Sequence, residues 1–173
     1  MVNFYFICAT NYKITMKKLT LFLLFISFSM FSQKELPSVS ITTLDNKSVN
    51  VKTDFSEQDK IYIYSFWATW CTPCIAELEA ISEHYEDWKK ELNFELVAVS
   101  IDDARTQKRV KPLLNGKDWT YTILLDSNQD LKRALSIVNV PYSVIVKNQK
   151  IVKILNGYTQ GSEEELYEVL KSL

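Results

Sequence analysis

One histidine and three cysteines in 173 residues leave this chain short of metal ligands. The histidine, His84, stands apart from the cysteines, and a second cysteine pair that would complete a zinc site is missing. Positive charge is not in excess either. Twenty Lys and Arg face 21 Asp and Glu, and three of the lysines fall in the first 32 residues, so the remainder carries a net charge of −4. That balance gives no sign of a nucleic-acid partner. Repeats, low-complexity stretches and composition breaks are lacking, and the length suits one domain with a real core. The apolar run Leu19 to Phe31 is also short: its 13 residues make about 20 Å of helix against roughly 30 Å of hydrocarbon.

That run is better explained by export. Met16-Lys17-Lys18 followed by a short apolar stretch has the form of a secretory signal, with a cleavage site expected between Ser29 and Gln33. Residues 1–32 are therefore assigned to a signal region and 33–173 to the folded domain. A cleaved signal and a periplasmic protein are expected, with membrane anchoring as the alternative if the signal is retained. The residues before Met16 sit awkwardly upstream of the signal's own lysines, which points to Met16 as the start and removes Cys8. The exported part then holds only Cys71 and Cys74. In an oxidising compartment such an isolated pair is either a redox couple or a structural staple.

Alternation in Val39 to Leu44 and Ser48 to Val51, around Asp45-Asn46-Lys47, predicts a hairpin that lids one end of the core. Ile61 to Phe66 reads as a buried strand that runs into Trp67-Ala68-Thr69-Trp70 and the cysteines. Pro73 suits the first turn of a helix that continues to about Glu91. Ile75, Leu78, Ile81, Tyr85, Trp88 and Leu92 form its buried stripe, with Cys74 on the centre line and Glu77 on the flank as a half-buried acid. Phe94 to Ile101 predicts a second strand, Arg105 to Leu114 a helix, Tyr121 to Leu125 an extended piece and Asn128 to Val138 a helix. Beyond Val140-Pro141, strands Tyr142 to Val146 and Ile151 to Leu155 flank a turn at Asn148-Gln149. Ser162, with Glu165, is expected to cap a final helix.

Two thiols at a strand-to-helix junction can trade electrons with other disulfides. The helix N-terminus favours the thiolate of Cys71, expected to be the more exposed of the two and the attacking sulfur. A closed loop of two residues restricts little chain entropy, which argues against a mere staple.

The string Phe66-Trp67-Ala68-Thr69-Trp70-Cys71-Thr72-Pro73-Cys74, with Glu77, Val97 to Asp102, Ile123 to Asp126 and Val140-Pro141, resembles the TlpA/ResA type of thioredoxin-fold thiol-disulfide oxidoreductase. The resemblance covers the chain from about Leu36 onward. It implies an α/β thioredoxin-like fold, a central mixed sheet flanked by helices, here with an N-terminal hairpin extension. It implies that Cys74 resolves the mixed disulfide formed by Cys71, that Glu77 accepts the Cys74 proton, and that a cis bond precedes Pro141 and leaves the Val140 backbone facing substrate. Thr72 and Pro73, between the sulfurs, would tune the site's potential, and Trp70 flanks the site, where its breadth would wall the thiols and offer partners an apolar contact.

Thioredoxin's own buried aspartate is replaced here by Ser65, which increases the burden on Glu77, and Glu79 replaces a helix-kinking proline. The expected cofactor is none beyond the Cys71–Cys74 disulfide. Expected partners are disulfide-bearing proteins, apocytochrome c among them, and an upstream thiol donor, considered as a membrane-embedded protein; the domain itself is expected to be a monomer. A thiol peroxidase is disfavoured because its Thr-x-x-Cys arrangement would need threonine where Ala68 stands. A non-catalytic chaperone or copper-delivery module is the competing class, which lacks here a wider cysteine spacing and a distal histidine.

Overall fold

The computed structural model describes residues 34–173, and the signal region assigned to residues 1–32 lies outside them. One seven-stranded mixed sheet organises these residues, in the order β2-β1-β5-β4-β3-β6-β7. Its strands are β1 (Ser40–Thr43), β2 (Ser48–Asn50), β3 (Ile61–Trp67), β4 (Phe94–Ser100), β5 (Thr122–Leu125), β6 (Tyr142–Lys147) and β7 (Lys150–Asn156). The helices are α1 (Thr72–Glu91), α2 (Val110–Leu114), α3 (Asp130–Ala134) and α4 (Ser162–Lys171), with a 3₁₀ turn at Gln107–Arg109 leading into α2.

β3 is central because its sequence suits nowhere else. All seven residues of Ile-Tyr-Ile-Tyr-Ser-Phe-Trp are buried, as expected of a strand covered on both faces. It pairs in parallel with β4 and antiparallel with β6, which sets Ser65 opposite Ser143 and Phe66 opposite Tyr142. β5 continues the parallel set beside β4.

α1 covers one face through Leu78, Ile81, Tyr85 and Trp88, each buried. Burying such a side chain contributes about 1.5–3 kcal/mol. The helix also anchors an aromatic chain: Tyr85 meets Phe94 and Tyr121 edge-on at 5.5 Å, Tyr121 stacks on Trp119, and Trp119 meets Trp67 edge-on. α4 packs beside α1, where Tyr167 stacks on Trp88 and donates to Glu91.

Several sequence expectations are corrected. The N-terminal hairpin does not lid the core; it widens the sheet, because Thr42 and Thr43 pair with Leu125 and Leu124 of β5. The helix expected over Arg105 to Leu114 is split into a 3₁₀ turn and α2. Pro112 lacks an N–H, and starting the α-helix at Val110 places it in the first turn, where that N–H would be unpaired anyway. The helix expected over Asn128 to Val138 shrinks to α3, bounded by the left-handed residues Gln129 and Ser136. Ser162 does not cap α4; Gly161 does, at φ 96°, with the Glu163 carboxylate accepting from its N–H. The β6–β7 turn is as expected, with Asn148 and Gln149 both left-handed.

The described chain enters at that turn. Leu36 donates to the Gln149 carbonyl, Ile151 donates to the Lys34 carbonyl, and Glu35 bridges to Lys150.

Candidate active site

The site forms where β3 ends and α1 begins. The Cys71 N–H donates to the Ala68 carbonyl and the Cys71 carbonyl accepts from Ile75, so Cys71 is the N-cap residue of α1. No acidic side chain lies in the first helical turn. The partial positive charge of the helix N-terminus is therefore left for the Cys71 sulfur. Cys71 and Cys74 are joined in a disulfide. Cys71 is 5% exposed and Cys74 0%, so the residues differ in the expected direction but both are buried.

Glu77 follows Cys74 by three residues on α1, a spacing that sets Cβ atoms about 5–6 Å apart. It is only 7% exposed, which corrects the half-buried placement read from the helical stripe. The physical reason lies on the sheet: Ser65 of β3 donates to Glu77 Oε2 and Ser143 of β6 to Oε1, each at 3.3 Å. These serines are directly paired across the two strands, so one polar step between β3 and β6 receives the carboxyl. Burial pushes the Glu77 pKa up to about 7, opposed by the two serine hydrogen bonds. A carboxyl that titrates near neutrality is suited to pick up and release a thiol proton.

Ser65 occupies the position of thioredoxin's aspartate, and here it serves the acid on the helix instead. Ser143 was not legible in the sequence. Its one signal is its place two residues beyond Pro141, and only the β3–β6 register turns that into a contact with Glu77.

The Val140–Pro141 bond is cis, Pro141 is buried and Val140 half-buried. Pro141 immediately precedes β6, whose Tyr142 pairs with Phe66, so proline and cysteines share one end of the sheet. Trp70 is 57% exposed beside Cys71, Thr72 and Pro73 are exposed between the sulfurs, and Trp67 is sealed in the core. Val138, 80% exposed, adds a second apolar side chain just ahead of Val140. His84 is exposed and stacked on Trp88, away from this group, and Glu79 pairs with Lys117. Among the described residues no three His, Cys, Asp or Glu side chains gather as metal ligands.

Sequence reasoning gave Asp102 no role, yet it holds the loop that carries Cys71. Buried to 1% exposure, it accepts from the Thr69 N–H at 2.8 Å, from Thr69 Oγ1 at 2.7 Å and from Ser100 Oγ at 2.9 Å. Replacing it by alanine leaves those donors unpaired, and hydrogen bonds to a charged group contribute about 1.5–3 kcal/mol. Asp102→Ala is expected to lower stability by about 2 kcal/mol, seen in urea unfolding as a fall in midpoint with unchanged slope.

The AhpC/TSA family profile matches residues 32–154. A thiol-disulfide oxidoreductase ResA of Bacillus thuringiensis is 28% identical over 141 residues, which cover 81% of this chain and 77% of that protein. The solution structure of an uncharacterized thioredoxin-like protein from Porphyromonas gingivalis is 45% identical, with a TM-score of 0.68 over 80% of this chain and 90% of that one. The crystal structure of a putative thiol:disulfide interchange protein DsbE from Chlorobium tepidum is 19% identical, with a TM-score of 0.71 over 83% of this chain and 98% of that one, a likeness in fold.

Proposed function

The chain belongs to the AhpC/TSA family and is a thiol-disulfide oxidoreductase of the thioredoxin fold, and we propose that it works as an exported reductant of protein disulfides. The observation that carries this reading is Glu77. A buried carboxyl with a pKa near neutrality, one helical turn beyond Cys74, supplies the proton acceptor that resolution of a mixed disulfide requires.

In the reduced protein the Cys71 thiolate attacks a substrate disulfide and bonds to one of its sulfurs, and the other leaves as a thiolate. Glu77 takes the proton of Cys74, whose sulfur then attacks Cys71 Sγ. That step releases the second substrate thiolate and re-forms the Cys71–Cys74 disulfide. Trp70 offers an exposed apolar face to the substrate, the Val140 backbone aligns an extended segment beside Cys71, and Thr72 and Pro73 set how stable the Cys71 thiolate is. An upstream thiol donor returns two electrons for the next cycle.

The signal-like segment of the sequence supports action outside the cytoplasm, on secreted proteins such as apocytochrome c. Among the described residues no helix is long and apolar enough to cross a membrane.

Cys74→Ser removes the resolving sulfur and is expected to accumulate mixed disulfides on Cys71. Expressed in cells, trapped with acid and resolved on non-reducing gels, it should yield discrete adducts that dissolve on adding dithiothreitol. A variant that carries no protein adduct would overturn the reading.

A further inference from the structure

Glu77 faces two different surroundings. On the sheet side stand Ser65 and Ser143, which hold its oxygens. On the other side it lines a pocket of about 440 Å³ between α1, β7, the loop that follows β7, and α4. Lys153 of β7, Tyr158 and Thr159 of the loop, and Glu163 and Glu165 of α4 contribute to the wall. One water needs roughly 10–15 Å³ of such space, so this pocket has room for several waters in a row. Its walls are mixed, with Ile81, Ile154, Leu155 and Leu166 beside a polar side on which Tyr158 donates to Glu163 Oε2 at 2.9 Å and the Gly161 N–H donates to the same oxygen at 3.0 Å.

The lining excludes Cys71, Cys74, Trp70 and Pro141. The face that meets a substrate and the face that wets Glu77 are therefore different. Cys74 is sealed at 0% exposure, and a protein bonded to Cys71 covers what little access the disulfide end has. A proton taken from Cys74 at that moment needs another way out.

We propose that this pocket is the proton exit of the resolving step, through which Glu77 exchanges with solvent while a substrate protein still occupies Cys71. The inference rests on the oxidoreductase reading above. Cys74 gives its proton to the Glu77 carboxylate and its sulfur bonds to Cys71 Sγ. The Cys71–substrate bond breaks with its electron pair on the substrate sulfur. The proton on Glu77 then passes to pocket water, with Glu163, Glu165 and Lys153 as the charged groups around its path.

Carboxyl labelling tests this directly. Reduced Cys74→Ser protein is bonded to insulin through Cys71, treated near pH 6 with a water-soluble carbodiimide and glycine ethyl ester, and the Glu77 peptide is read by mass spectrometry. Glu77 should label as strongly in the trapped complex as in the free protein. Two plugs from opposite walls, Ile154→Trp on β7 and Thr159→Trp on the loop, should each suppress that labelling. With Cys74 present, each plug should slow resolution about tenfold, a part of the general-base contribution, and leave attack by Cys71 unchanged. A trapped complex whose Glu77 is protected, or folded plugs that change neither labelling nor resolution, overturns the proton exit alone. A Cys74→Ser protein that traps no insulin removes the oxidoreductase reading and the exit with it.

Discussion

Glu77→Gln is expected to slow release of the reduced substrate by about 10²–10⁴, the range of a positioned general base, without slowing the first attack by Cys71. Glutamine keeps the shape and can still bond both serines, its oxygen accepting from one hydroxyl and its amide N–H donating to the other, which turns to accept, but it cannot take the Cys74 proton. Stopped-flow mixing with a fluorescent protein disulfide separates the two steps, since attack is second order and resolution first order. In the wild type, resolution should speed up as pH rises through about 7, where Glu77 ionises, and the variant should lack that inflection. An unchanged resolution rate would remove Glu77 from the mechanism.

The same substitution has an opposite effect on stability. Below the unfolded carboxyl pKa both states hold the proton, and Glu77 costs nothing. As pH rises from about 4.5 to about 7 the unfolded chain ionises freely while the folded one resists, so stability is lost across that window and stays lost above it. The full loss is about 3 kcal/mol. Oxidised Glu77→Gln should therefore match the wild type at pH 4 and exceed it at pH 8 by up to about 3 kcal/mol in urea unfolding. Faster chemistry and lower stability would then trace to one buried carboxyl, as is common where a site stores an unfavourable group.

Cys71→Ser is expected to reduce insulin no faster than the uncatalysed background, a complete loss in a turbidity assay with dithiothreitol as donor. Nothing in the fold can stand in for it. Cys74 is fully buried within the first turn of α1, and the described residues contain no third cysteine. Cys71 alone combines the helix N-terminus with a place next to Trp70 at the end of the sheet that Pro141 shares. Wild-type activity in this variant would mean that the disulfide is a staple.

The cysteine junction, the central strand, the long helix and the β6–β7 hairpin were legible because each depends on neighbours in sequence. A continuous apolar run gives β3, a 3.6-residue stripe gives α1, and Asn148-Gln149 gives the turn. What stayed hidden depends on pairing at a distance. Helical spacing placed Glu77 at the edge of the stripe, since counting apolar residues cannot see that β3 and β6 offer two serines side by side. Asp102 looked like the end of a strand until the Thr69 loop was seen to fold onto it. Local backbone reversals at Gln129 and Ser136 shortened α3, and neither residue is of a type that announces a left-handed turn.

The entry of the chain beside the Asn148-Gln149 turn gives the domain a polarity. Lys147 pairs with Ile61 at the start of β3, and the cysteines follow the strand's far end, so Lys34 and Cys71 lie at opposite poles of the sheet. A domain held to a bead or an electrode by a linker ahead of Lys34 would therefore turn its disulfide outward, toward whatever it meets in solution.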